Sequence, residues 1–167
     1  MIEALAARDI VRGTGNGRFE PTRAVTRAEF VQQLLGSLGL IDVKAVSSLN
    51  DLTEGAWYYS AVASAEKLGI VKGKANGSFG GGETITREDM AVMLSRAAVI
   101  AGISTDGQGA ALQAFKDQVA IAAYAEEAVI AMQEAGFING FTDGSYQPKQ
   151  HTTRAQAASV IFKLLKF

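Results

Sequence analysis

The feature that most constrains this chain is one block of sequence written three times in one register. Counting from Gly13, Gly73 and Gly140, a second glycine follows four residues on (Gly17, Gly77, Gly144) and an aromatic six on (Phe19, Phe79, Tyr146). An arginine follows fourteen on, at Arg27, Arg87 and Arg154. A short apolar pair stands before each block: Ile10-Val11, Ile70-Val71 and Phe137-Ile138. A period of this kind marks tandem units, none of which can bury its apolar face alone.

Each arginine sits in a four-residue box: Thr26-Arg27-Ala28-Glu29, Thr86-Arg87-Glu88-Asp89 and Thr153-Arg154-Ala155-Gln156. The threonine hydroxyl is placed to accept from a free amide of the first helical turn. The side chain three residues on (Glu29, Asp89, Gln156) is placed to reach back to the cap. The arginine then falls at the first helical position, where a cation opposes the helix dipole. Capping does not require arginine there, so its threefold return asks for an anionic partner.

Each unit reads as helix, loop, helix. Apolar spacing predicts first helices over 2–9, 57–68 and 124–135, with Gly69 and Gly136 as left-handed C-terminal caps. Asn16-Gly17, Asn76-Gly77 and Asp143-Gly144 are turn signals. The following aromatics are expected to tuck into the core. The second helices start at the boxes and carry apolar stripes, such as Phe30, Val31, Leu34, Leu35 and Leu38, or Ala157, Val160, Ile161, Leu164 and Leu165. The expected fold is all-α: three helix-loop-helix repeats over 1–43, 44–107 and 108–167, pooled into one pseudo-threefold bundle with peripheral loops. The first repeat is expected to be incomplete at its start, because the counterpart of Trp57 falls ahead of Met1.

Composition narrows the function. With 16 basic and 17 acidic residues the formal net charge is −1, so there is no field to draw nucleic acid or an anionic bilayer. No apolar stretch is long enough to span a membrane, and no signal peptide is legible at the start. With no cysteine there is neither a disulfide nor thiolate chemistry. No metal, cofactor or catalytic motif appears, so an enzyme is not expected. His151 has no ligand-spaced partner and reads as a surface residue.

The combination of Phe115-Lys116-Asp117, Trp57 opening an apolar helix, Gly69-Ile70-Val71, an Asn/Asp-Gly-x-aromatic turn and Thr-Arg-Ala-Glu resembles the S-layer homology repeat, in three copies over nearly the whole chain. The resemblance implies a module at the bacterial cell surface that binds a secondary cell-wall polymer, commonly at pyruvylated N-acetylmannosamine, in grooves between repeats. A pyruvate ketal offers a carboxylate, which a guanidinium can meet with two parallel charge-assisted hydrogen bonds. A flat aromatic beside it suits a sugar face, and a nearby helix N-terminus adds favourable potential.

The ligand residues this implies are Arg27, Arg87 and Arg154, Trp57 and Tyr124, and the turn residues Gly17, Gly77, Asp143 and Gly144. By resemblance each groove takes its arginine from one unit and its aromatic from the next, pairing Arg27 with Trp57 and Arg87 with Tyr124. Arg154, with Gln156 in its box and no partner segment, is expected to mark a weak or empty groove. The alternative is a self-assembly module that contacts other S-layer subunits rather than glycan.

Overall fold

In the computed structural model, which describes residues 2–8, 10–14, 18–105 and 114–165, the three threonines start the three longest helices. These are α2 (Arg27–Leu38), α4 (Arg87–Ile100) and α6 (Arg154–Leu164); the first helices of the units are α1 (Ile2–Ala6), α3 (Tyr59–Lys67) and α5 (Glu126–Glu134). A 3-10 turn at Gln118–Ala120 completes the regular structure among the described residues. Gly69 and Gly136 take positive φ (72° and 74°) at the ends of α3 and α5, as their sequence position predicts.

The reciprocal box forms at α2 and α6 but not at α4. Thr26 and Thr153 each accept from the residue three on, and Glu29 and Gln156 each accept from the cap amide. Thr86 accepts from the Asp89 amide at 3.2 Å, but the Asp89 carboxylate points away from the cap. Aspartate is one methylene shorter than glutamate, and here it has stronger partners elsewhere.

The segments just before these helices meet on the pseudo-threefold axis. Ile85 N donates to Val25 O (3.0 Å), Thr152 N to Ile85 O (2.9 Å) and Val25 N to Thr152 O (2.9 Å), closing a ring of three hydrogen bonds. Single antiparallel bridges flank it at Ala24–Thr153, Thr26–Thr84 and Thr86–His151. Val25 and Ile85 fill the axis with hydrocarbon, whereas Thr152 puts there a buried hydroxyl without a hydrogen-bond partner among the described residues.

Around this axis the helices pair across units. α3 packs on α2, α5 on α4 and α1 on α6, while α2 also touches α4 and α6. Each first helix therefore lies against the second helix of the unit before it, and the third unit closes onto the first. The apolar stripes face inward: Phe30, Val31, Leu34, Leu35, Leu94, Ala97, Ile161 and Leu164 are fully buried. At about 25 cal/mol per Å² of apolar surface removed from water, this shared core is the main favourable term.

The loop aromatics join it, with Phe79 and Tyr146 fully buried and Phe19 half-buried. The residue after each aromatic needs the left-handed region: Glu20 (φ 53°), Gly80 (φ 71°) and Gln147 (φ 56°). Glycine costs nothing at that position. This accounts for Gly80 where the other copies keep Glu20 and Gln147 ahead of Pro21 and Pro148.

Candidate functional site: three arginine grooves

Each box arginine leans over the loop of the following unit and is held there in the same way. Arg27 Nε donates to Phe79 O at 3.0 Å, Arg87 Nε to Tyr146 O at 2.7 Å and Arg154 Nε to Phe19 O at 2.9 Å. Each guanidinium also stacks over the ring of that same residue, 5.1, 4.7 and 4.8 Å from the centroid. The loop aromatic is thus both core and platform: its carbonyl fixes the guanidinium and its face screens one side of it. Arg87 Nη2 donates further to Asn139 O (2.9 Å) and Arg154 Nη2 to Arg12 O (2.6 Å). All three arginines are buried. Burial pulls Arg87 and Arg154 below the ordinary arginine value, with Arg23 adding to the effect on Arg154 and Glu29 and Glu20 opposing it. Arginine starts so high that both stay charged.

The loops are braced from outside. Asp51 accepts from the amides of Phe79 (2.6 Å) and Gly80 (2.7 Å), and Asp117 from those of Tyr146 (2.7 Å) and Gln147 (2.8 Å). This gives the aspartates of Leu49-Asn50-Asp51 and Phe115-Lys116-Asp117 a physical role: each pins the platform that carries the arginine. Gly140 permits the close loop, since a Cβ there would lie 2.8 Å from Ser145 O and 2.8 Å from the Phe115 ring.

The helix N-termini do not face solvent. The first two amides of α2, at Arg27 and Ala28, donate to Glu83 O (2.8 Å) and Gly81 O (3.1 Å). Those of α4 donate to Gln150 O and Pro148 O, and those of α6 to Arg23 O and Pro21 O. The helix ends, expected to add favourable potential to the grooves, therefore offer no free amide from these first two positions, because the next unit's loop already consumes them. What remains facing outward is the guanidinium.

The pairing of arginines with aromatics is also corrected, by one unit. Trp57 faces Arg154, not Arg27: both line a cavity of about 360 Å³ with Arg8, Arg12, Glu29, Gln32, Gln33 and Gly36. Tyr124 belongs to the Arg27 groove, where its hydroxyl donates to Asp89 Oδ1 at 2.8 Å and Arg27 Nη1 meets Asp89 Oδ2 at 3.1 Å. Arg87 lines another cavity, of about 190 Å³, with Phe137, Asn139, Phe141, Gln156 and Lys163. The reason is the helix pairing across units. A groove takes its arginine from one unit, its loop and second helix from the next, and its aromatic from the unit after that. Phe141 stands over Arg87, 4.8 Å away. Trp57 and Tyr124 do not open their helices either; each lies two residues ahead, in the preceding turn, and both are exposed.

The same helix positions give the three grooves different linings. The box acid facing Arg154 is Glu29, held by Arg23 (2.6 Å) and 3.6 Å from Arg154 itself. Burial pushes the Glu29 carboxyl up; the Arg23 hydrogen bond, the Thr26 amide and the charges of Arg23 and Arg154 outweigh it and hold it below its ordinary value. Facing Arg27 is Asp89, and facing Arg87 is the neutral Gln156. Two turns further, Gly36 leaves the Arg154 cavity open, whereas Arg96 reaches Ile70 O (3.1 Å) and Lys163 reaches Gly136 O (2.8 Å) in the other two.

Of the expected turn residues, Gly77 (φ 78°), Asp143 and Gly144 (φ 85°) sit at loop tips and line neither of the Arg154 and Arg87 cavities. Their contacts tie the loop to other parts of its own unit: Gly77 O and Gly144 O accept from Asn50 N and Lys116 N, and Asp143 caps Ser145. Gly17 lies outside the described residues. His151 is exposed and meets Thr84 Oγ1 at 2.9 Å.

Sequence reading did not single out Arg8, Arg12, Gln32, Gln33 or Gly36. A signal existed in the alignment of the second helices. Gln32 and Gln33 stand where the other copies have Val92-Met93 and Ser159-Val160, a polar step that packing does not need.

Fold and site define a class: a threefold helical repeat module whose grooves are each built around one buried arginine. The model of the S-layer homology domain matches residues 2–31, 48–91 and 114–158, and the chain belongs to that family. It is 34% identical over 99% of its length to an amylopullulanase of Thermoanaerobacterium thermosulfurigenes, of which it covers 9%. It is 36% identical over 98% of its length to an endoglucanase of Bacillus sp. (strain KSM-635), covering 17% of it. It is 35% identical over 97% of its length to an S-layer protein of Bacillus thuringiensis subsp. finitimus, covering 19%. The chain spans less than a fifth of each of these relatives. It corresponds to an S-layer homology region rather than to a catalytic part.

Proposed function

We propose that this chain is a non-covalent anchor to the bacterial cell wall, and that its grooves bind the acidic units of a secondary cell-wall polymer, with pyruvylated N-acetylmannosamine the best chemical fit. The observation that carries the reading is the Arg154 cavity. A buried, charged guanidinium is fixed on two carbonyls there, further arginines stand at its rim, and exposed Trp57 forms one wall. A ketal carboxylate would meet the Nη1 side of Arg154, where Glu29 stands off at 3.6 Å and is drawn to Arg23 at 2.6 Å, and the sugar ring would lie against the indole. Gln32 and Gln33 supply amide groups for hydroxyls or an N-acetyl group. Relatives named as an S-layer protein and a cell surface glycoprotein suit a portable anchor, and a cell-surface location follows from the same reading. The Arg87 groove is the second site, with a guanidinium that faces a neutral amide but a smaller cavity.

The test is calorimetric titration with purified wall polymer before and after chemical removal of its pyruvate. Binding is expected to need the pyruvate. Binding that is unchanged without it would contradict the arginine–carboxylate mechanism, and no binding to wall polymer would favour contact with other S-layer subunits.

A further inference from the structure

The Arg27 groove holds its own carboxylate. Asp89 Oδ2 lies 3.1 Å from Arg27 Nη1, and Asp89 Oδ1 accepts from the Tyr124 hydroxyl at 2.8 Å. Arg27 Nε is committed to Phe79 O, so the edge that Asp89 meets is the edge a ligand carboxylate would need. Tyr124 is held as well, because its hydroxyl also reaches the buried Glu88 at 3.2 Å. Both groups that would recognise a glycan here, guanidinium and aromatic, are tied to acids of α4.

We propose that Asp89 is a built-in occupant of the Arg27 groove and decides that this groove takes no wall glycan, leaving the ligand to the grooves of Arg154 and Arg87. The inference rests on the reading of these grooves as carboxylate sites. Two local differences produce it. The aspartate side chain does not complete the reciprocal box that Glu29 and Gln156 complete. The residue equivalent to Arg23, which draws Glu29 aside, is Glu83, and Glu83 pairs with Lys74 instead. No counterpart of Arg23 therefore draws Asp89 away, and it falls onto Arg27. A ligand anion entering this groove would have to break that pair and then lie beside the displaced carboxylate, which electrostatics opposes.

The test uses the whole chain, labelled with 15N and titrated with a pyruvylated N-acetylmannosamine glycoside while the arginine Nε–Hε signals are followed. In the wild-type protein the Arg154 signal is expected to shift saturably and the Arg27 signal to stay in place. Asp89→Gln copies Gln156, keeps a residue that can close the box and removes the charge. In that variant Arg27 should respond, with calorimetric stoichiometry rising by one site. Asp89→Glu, which copies Glu29, should give the same gain more weakly and serves where the glutamine variant does not give a folded spectrum. An Arg27 signal that titrates in the wild type with the affinity of Arg154 overturns the proposal, as does a folded Asp89→Gln protein whose Arg27 stays silent. A wild type in which no groove arginine responds overturns the glycan reading itself, and the inference falls with it.

Discussion

The Arg27 and Arg154 grooves are built from the same parts and reach opposite states. Both arginines are fixed on the carbonyl and ring of a loop aromatic, and both lie at the start of a threonine-capped helix. In one groove the facing acid is an aspartate that completes an ion pair at 3.1 Å. In the other it is a glutamate held by its own cap and by Arg23, which leaves it 3.6 Å from Arg154, and the cavity stays open beside Gly36 and Trp57. The lesson is that the arginine motif by itself specifies a position, while the residues along the facing helix decide which neighbours the guanidinium has and how open the space beside it is.

Substitution of each arginine by alanine should separate the two grooves most sharply. Arg154→Ala is expected to weaken glycan binding by about 2–4 kcal/mol, the cost of losing one partner of a charge-assisted contact. Arg27→Ala should leave that affinity unchanged and instead lower stability by about 1–3 kcal/mol, because Phe79 O and Asp89 lose their buried donor. Calorimetric titration and denaturant melts of the two variants check this. Equal losses of binding would break the contrast.

A smaller effect is expected from closing the open groove. Gly36→Arg copies Arg96, and the space around the helix allows it, since a Cβ at Gly36 meets only the Ile41 side chain at 3.8 Å. Affinity should fall by roughly tenfold, about 1.4 kcal/mol. Stability should rise by up to about 1 kcal/mol as a helical glycine is replaced. A variant that is more stable and still binds fully would show that Gly36 does not gate the cavity.

The smallest effect separates the grooves by pH. Glu29 is held below its ordinary value of 4.5, so its contribution to stability is complete above that value and is lost as the pH falls through the lowered one. Thermal melts of the wild type and of Glu29→Gln should therefore run parallel from neutral pH to about pH 5 and converge below it. Gln156 shows that an amide preserves the box, so the variant removes charge without removing the cap. Melts that stay parallel down to about pH 3 would contradict this assignment.

Much of this architecture was legible in the sequence because it is local. The helix starts, the glycine caps at Gly69 and Gly136, and the burial of Phe79 and Tyr146 all follow from periodicity and turn chemistry. The groove pairing was not legible, because it depends on how the units close. Nothing in the order of Arg27 and Trp57 along the chain tells that α3 packs against α2 while Arg27 leans on the loop of the second unit. The displacement by one unit also separates Gln156 from the groove of its own arginine. The neutral Gln156 weakens no ion pair at Arg154; it faces Arg87. The role of Asp89 was equally hidden, since its spacing fits a capping box and only its missing methylene and the glutamate in place of Arg23 turn it outward.

Trp57 offers the most direct measurement of the central claim, because it is the single tryptophan of the chain and stands in the Arg154 groove. Its fluorescence should change saturably on titration with a pyruvylated N-acetylmannosamine glycoside, with the dissociation constant found by calorimetry. The change should vanish in Arg154→Ala and persist in Arg27→Ala. Calorimetric binding that leaves Trp57 emission unaltered, or that disappears with Arg27 rather than Arg154, would contradict the account.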